Sequence, residues 1–400
     1  MNSIIGNKVR PPILNFNVKS NKANYTEYEI NTRLKPDQEH DENEFVKNIN
    51  SMIFCHETIK IKQPKQSFMI QNGRRKFAYV FGFFPNPKNK EPTYLDGCIL
   101  GALGLKRQQT NADVICMVTP DIDLITRKKL EVVFDKVIRV PYISPYKMSG
   151  KDKLSTIMIE PDIFKACGYS KNHPFVHVFF KLHIFNPDIF PYEKVCFVDS
   201  DLVPLNYYDS LFMLNTPAGW VEYRKKSPYL DSFHWDRCDY LKHGEKIPQH
   251  ITDIDTETGA DVNAGLMVIS PNKKEYDEMI NELQKPTKEW LNKLSFHKGY
   301  WDFDLSGEKL YGRKFVEGSY CFPEQNYLTK RYSGKWTYVE FAFQSWTLDP
   351  CNSFGIHMAA FNPKPWFKQP IGNKVHDKNI HPYLKDIKDK NIHEPVSLPH

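Results

Sequence analysis

A chain of 400 residues, 40% hydrophobic and 14% aromatic, is long enough to bury a large core, as one domain with extensions or as two domains. Its net charge of +6 is mild, and no dense Lys/Arg stripe with interleaved aromatics occurs, so nucleic acid is not the expected partner. No apolar run approaches a membrane span, and residues 1–10 lack the apolar centre of a signal peptide. The eight cysteines are scattered without a Cys-x-x-Cys pair, and Cys98, Cys116 and Cys196 lie in apolar segments. They read as small buried hydrophobes of a reducing compartment, not as a disulfide or zinc framework, and a cytoplasmic location is expected.

In chain order, residues 1–70 are an N-terminal extension, very polar over 35–50 and with some strand character over 51–62. Residues 76–84 form an apolar run closed by Pro85-Asn86-Pro87, a first buried strand and its loop. A helix opens at Thr93 and runs over 94–105, its glycines suggesting close packing on a sheet. A strand over 113–118, a helix over 121–134 and a strand over 136–140 follow. This alternation predicts a parallel sheet with right-handed crossovers. The first strand is not followed by Gly-x-Gly-x-x-Gly, and no Gly-x-x-x-x-Gly-Lys-Ser/Thr exists, which disfavours a dinucleotide fold and a P-loop.

Residues 179–185 read as the last turns of a helix, with Lys181 on an otherwise apolar element. It either snorkels or faces a phosphate or sugar. Residues 195–198 are a buried strand that stops at Asp199-Ser200-Asp201, and Pro204 prevents regular continuation. Two carboxylates at the carboxyl end of a central strand stand where open α/β sheets bind ligands. They suit a hard divalent cation and a diphosphate, or are solvated acids of a polar turn. A helical turn over 208–212 and a strand over 218–222 come next. The long charged insertion over 224–258 is assigned to acceptor recognition or a lid.

An apolar strand is expected to begin right after Asn263, within 261–270. Asn263 and Ala264 there can face a sugar's hydroxyls while Gly265 permits close approach, or they form a polar turn before a core strand. Residues 272–283 are a helix with an acidic face. Pro323 starts another helix with Glu324 and Gln325 in its first turn. These either cap the helix or stand beside a reacting sugar. Finally, a strand ends at His357, and a Pro-bounded loop holds Lys364 and Trp366. Imidazole suits a transition metal such as Mn²⁺, and a lysine ammonium suits phosphate oxygens.

Taken in order and rough spacing, Asp199-Ser200-Asp201, Asn263-Ala264-Gly265, Glu324-Gln325 and His357 through Lys364-Pro365-Trp366 resemble the family 8 glycosyltransferases, the group of glycogenin and galactinol synthase. The resemblance covers about residues 76–367. It implies an α/β, Rossmann-like GT-A fold with a mostly parallel central sheet, placed at 71–367 between the 1–70 extension and a polar tail at 368–400. It also implies retaining, Mn²⁺-dependent transfer of a hexose or N-acetylhexosamine from a UDP-sugar to a hydroxyl acceptor: a protein, a polyol or a glycan. Carried over by position, Asp199, Asp201 and His357 hold the metal and Lys364 meets the diphosphate. Asn263, Ala264, Glu324 and Gln325 line the donor sugar and reacting centre, with Glu324 and Gln325 as the catalytic pair. Tyr94 lies near the uracil, Lys181 matches the family's lysine before the acid turn, and Ser200 belongs to the donor site. A homodimer is expected by analogy. Three positions depart from the pattern: the first-strand loop lacks a Thr-Asn pair, Asn362 replaces a glycine, and Glu324 stands where glycogenin has Asp. Two rivals stay open on the sequence. A sugar-1-phosphate nucleotidyltransferase would carry a Gly-rich basic N-terminal signature, absent here. The other is a non-catalytic nucleotide- or glycan-binding protein on the same fold.

Overall fold

The computed structural model describes residues 16–31, 58–85, 94–147, 156–165, 174–226, 233–236, 241–252, 260–287, 323–345, 353–360 and 364. The chain enters through three antiparallel strands, β1 (Phe16–Asn21), β2 (Tyr25–Asn31) and β3 (Thr58–Pro64). Along β3, exposed Thr58, Lys60 and Lys62 alternate with buried Ile59 and Ile61, the period of a strand with one wet face. A short hairpin, β4 (Ile70–Gln71) and β5 (Arg74–Arg75), turns at Asn72-Gly73, whose φ angles of 51° and 73° suit a tight two-residue loop.

Next, β6 (Phe77–Phe83) is buried at every position. Such an unbroken apolar strand needs cover on both faces, which places it in the middle of a sheet. Helix α1 (Leu95–Arg107), β7 (Asp113–Val118), helix α2 (Leu124–Glu131) and β8 (Lys136–Arg139) follow. The Asp123 side chain caps α2 by accepting from the Thr126 amide at 2.8 Å. Short β9 (Ile143–Ser144) and β10 (Ile157–Met158) pair in parallel. Beyond them lie β11 (Lys194–Val198), β12 (Leu202–Pro204), β13 (Ala218–Lys226), β14 (Phe233–Asp236) and β15 (Ala260–Ile269). Helices α3 (Lys273–Gln284) and α4 (Pro323–Arg331), then β16 (Thr337–Tyr338) and β17 (Gly355–His357), complete the series.

The central sheet runs β14-β13-β15-β11-β6-β7-β8, with β16 paired to β13. From β11 to β8 every pairing is parallel, as the strand–helix alternation requires, while β15, β13 and β14 add an antiparallel flank. The expected α/β class with its largely parallel core is what the chain adopts. The glycines of α1 do allow a close approach: a Cβ on Gly104 would run into the Pro204 carbonyl, and one on Gly101 would meet the Leu202 carbonyl oxygen at 2.8 Å. Cys98, Cys116 and Cys196 are free and buried. No helix of the described residues is long and apolar enough to cross a membrane.

Three local readings are corrected. Residues 179–185 belong to a 3-10 run, Val178–Phe185, and not to an α-helix. All its side chains are buried, and packing rather than the modest helix propensity of its aromatic and β-branched residues sets its geometry. Asn263 lies inside β15 and not before it. Part of the 224–258 insertion extends the sheet through β13 and β14 and forms a helical turn, Gln249–Thr252; residues 227–232, 237–240 and 253–258 lie outside the described residues. The 368–400 tail also lies outside them.

Candidate metal and donor site

The site forms at the carboxyl end of β11, where the parallel half of the sheet meets its antiparallel flank. After Val198 the chain turns, the Leu202 amide donating to the Asp199 carbonyl at 3.0 Å. It then pairs β12 with β17 in a register that sets Leu202 opposite His357. That ribbon delivers His357 from more than 150 residues downstream: its Nε2 lies 3.3 Å from Asp201 Oδ1 and 4.0 Å from Asp199 Oδ2. The Met358 amide donates to the Asp201 carbonyl at 2.8 Å and ties the two strands together at the site.

Against the other side of the turn lies a bulge in β15. Val221 of β13 faces Val262 and Gly219 faces Met267, so Trp220 alone spans four residues of β15, 263 to 266. The extra length carries Asn263, Ala264 and Gly265 to the acids. The Asp199 amide donates to the Gly265 carbonyl, and the Gly265 amide to Asn263 Oδ1, both at 2.8 Å. A Cβ on Gly265 would lie 2.5 Å from His357 Cε1 and 3.1 Å from Asp199 Oδ2, so only glycine leaves this cradle open.

Asp199, Asp201 and His357 offer donor atoms all within 4.8 Å of one another. Two carboxylates and one imidazole suit a divalent cation that accepts oxygen and nitrogen, of which Mn²⁺ is one. The cradle beneath them fits that use.

Two lysines flank the acids. Lys364 Nζ lies 2.9 Å from Asp201 Oδ2, donates to the Met358 and Ala359 carbonyls, and stands 5.9 Å over the Tyr94 ring. Burial, with the nearby Asp201 and Asp199 charges, pushes the Tyr94 phenol up to about 12. Lys181 Nζ bridges Asp199 Oδ1 at 3.0 Å and Glu324 Oε1 at 2.8 Å. Burial would discharge this lysine, but the Asp199 and Glu324 charges outweigh it and hold it protonated. The acids are driven apart. Burial pulls Asp201 upward but His357 and Lys364 prevail and hold its carboxyl below the usual range. At Asp199 burial, aided by the Asp201 charge, exceeds the pull of Lys181 and raises it.

Helix α4 presents Glu324 and Gln325 from its first turn, Gln325 Oε1 accepting from the Ala264 amide at 3.2 Å. Two residues that sequence reasoning missed fasten this helix to β15. Thr329 Oγ1 accepts from the Val262 amide at 2.9 Å and donates to the Gln325 carbonyl at 2.8 Å, while Asn326 Nδ2 donates to Asp261 Oδ2 at 2.8 Å. The available signal was a polar stripe at helical spacing, Gln325, Asn326 and Thr329, all buried where apolar residues are the norm. Of the residues expected from sequence, Tyr94, Lys181, Asp199, Asp201, Asn263, Ala264, Glu324, Gln325, His357 and Lys364 converge. Ser200 sits half-buried in the turn and bonds to none of them among the described residues. Asn362, Pro365 and Trp366 lie outside the described residues.

No protein-family model matches the chain. Uncharacterized protein R707 of Acanthamoeba polyphaga mimivirus is 25% identical over 331 residues, 79% of this chain and 90% of that protein. Galactinol synthase 6 of Arabidopsis thaliana is 26% identical over 246 residues, 60% of this chain and 65% of the synthase. Glycogenin-1 of Oryctolagus cuniculus is 29% identical over 119 residues, 30% of each chain. A solved galactosyltransferase in complex with donor and acceptor sugar analogues aligns over 81% of this chain and 98% of its own, at 11% identity and a TM-score of 0.41. The two named sequence relatives bear out, at low identity, the resemblance carried by the motifs: the chain is similar to glycosyltransferases of the family 8 kind.

Proposed function

We propose that this chain is a retaining glycosyltransferase that moves a hexose or N-acetylhexosamine from a UDP-sugar to a hydroxyl of a protein, polyol or glycan. The observation that carries the reading is the convergence of Asp199, Asp201, His357, Lys364, Lys181, Glu324 and Gln325 at the carboxyl end of one strand. Similarity to galactinol synthase 6 and glycogenin-1 supports it.

The difficulty of the reaction is the charge that gathers on the departing diphosphate. A divalent cation such as Mn²⁺ held by Asp199, Asp201 and His357 would supply Lewis-acid neutralisation there. Lys364 adds a second positive charge at the same place. Its ammonium now rests on Asp201, and a diphosphate offers it oxygens of the same kind. The Glu324 side chain is already engaged by Lys181 at 2.8 Å. That arrangement suits a group that positions an oxocarbenium-like sugar better than a free nucleophile. Gln325, its oxygen pinned by the Ala264 amide, turns its amide nitrogen to the sugar in this reading, and Asn263 orients a hydroxyl. Retention then follows from attack on the face the diphosphate leaves. A cytosolic setting suits the buried free thiols.

The test is UDP release from a panel of UDP-sugars with Mn²⁺, with and without EDTA. One sugar nucleotide is expected to be hydrolysed slowly in the presence of metal, and Asp201→Asn is expected to abolish this. A folded protein that neither releases UDP nor binds it by calorimetry would overturn the reading.

A further inference from the structure

Beyond the acid cluster, the carboxyl edge of the parallel sheet holds a second group that the chemistry above does not use. His177 is 1% exposed, yet neither of its ring nitrogens has a hydrogen-bond partner among the described residues. Its ring lies 4.8 Å from that of Tyr142 and 6.3 Å, edge to face, from that of Phe84. Phe84 follows β6 directly, Tyr142 comes soon after β8, and the end of β7 closes on β6 where the Thr119 amide donates to the Phe83 carbonyl at 3.3 Å. The polar groups next to the histidine are occupied with each other: Thr119 Oγ1 and the Tyr142 hydroxyl both donate to Asp121 Oδ1, at 2.7 and 2.8 Å. Burial holds the imidazole down to about 4, so at neutral pH it is uncharged and presents one donor and one acceptor.

A buried imidazole left without partners is costly, and a native fold keeps such a group for a reason. Its surroundings name the ligand chemistry. Aromatic faces beside a neutral donor–acceptor ring suit a flat heterocycle with polar edges, as in a nucleobase. The position agrees. His177 precedes the 3-10 run that carries Lys181, and at about 2 Å of rise per residue the two stand roughly 8 Å apart along it. Lys181 in turn touches Asp199 of the cluster where the diphosphate's metal is proposed to sit, and a separation of that order is what a nucleoside's sugar covers between base and diphosphate. The cover is thin, since half-buried Phe84 is the ring to be moved and its neighbour Pro85 offers no donor.

We propose that His177 reads the nucleobase of the donor, hydrogen-bonding its edge once Phe84 turns aside; this deepens the glycosyltransferase reading and rests on it. Uracil offers an N–H flanked by carbonyl oxygens, so either tautomer of the imidazole finds a complement.

The experiment titrates the full chain, saturated with Mn²⁺, with UDP and separately with inorganic diphosphate. His177→Phe keeps a ring in place and removes both nitrogens. It is expected to weaken UDP about tenfold, or about 1.4 kcal/mol, while diphosphate binding stays unchanged. His177→Gln restores a donor and an acceptor and is expected to regain most of the UDP affinity. Should the Phe variant not fold, His177→Leu provides the same comparison. An equal loss for both ligands, the mark of a packing role, or an unchanged UDP affinity in a folded variant overturns the role of His177 alone. Wild-type protein that binds neither ligand overturns the proposed function, and this inference with it.

Discussion

At Gly265 the requirement for a particular residue comes from space. A methyl group there would press on His357 and Asp199 together, the two groups that must point at one cation. Gly265→Ala is therefore expected to weaken Mn²⁺ binding about 10–100-fold, the range seen when the supports of a metal ligand are disturbed, with the protein still folded; calorimetry with Mn²⁺ alone measures it. Lys181 shows the complementary case, in which charge decides. It lies with Glu324 in a pocket where both side chains are 8% exposed. Lys181→Met would strand the Glu324 carboxylate next to Asp199 without a cation, which costs about 3–5 kcal/mol for a buried pair broken on one side. Urea unfolding is expected to show that loss, and adding Glu324→Gln to the same chain is expected to recover most of it. A double variant no more stable than Lys181→Met alone would mean that the lysine acts through Asp199 only.

Among the elements, α4 sets the reacting side of the site, and its far end is held by charge. Arg331 donates to Glu282 and, at 3.0 Å each, to Glu275 and Glu278 of α3; the Tyr327 hydroxyl adds a 2.6 Å bond to Glu282. The acidic face of α3 was legible in the sequence, but its partner was not, because that helix lies some fifty residues further on. The bulge at Asn263 was hidden for a related reason, since register between strands is a property of the pairing. By contrast β6, β7 and β11 were plain, because a continuous apolar run admits few other readings. At Glu275 burial works against ionisation, but Arg331 outweighs it and lowers the carboxyl below its usual 4.5. A carboxyl depressed by folding contributes stability above its unfolded value, and that contribution is lost as pH falls through the folded value. Arg331→Met removes the shift, so its stability is expected to fall less steeply than that of the wild type as pH drops below about 4.5, as urea titrations at several pH values would show.

Over the whole molecule, the site draws on residues from 94 to 364, so it exists only where the entire sheet has closed. Most of the first seventy residues were opaque because they are polar; the alternation over 58–62 shows a strand period, but the partner strand it pairs with cannot be read from local sequence. Yet Ile30, Ile59 and Ile61 are at most 2% exposed and belong to the same core as β6 and β11. On the far side of that contact stands the 3-10 turn Tyr208–Met213, which follows the acid turn and β12; Tyr28 and Tyr207 meet at 6.1 Å beside it. A surface continued across both parts should melt as one. Ile61→Ala removes buried methyl groups and is expected to cost about 2–4 kcal/mol. If the extension and the site share one cooperative unit, tryptophan fluorescence, to which buried Trp336 contributes near the opposite flank of the sheet, shifts its urea midpoint together with far-ultraviolet circular dichroism. A fluorescence transition left unmoved while the dichroism splits in two would instead make the N-terminal strands a separable attachment, and the metal site would then owe them nothing.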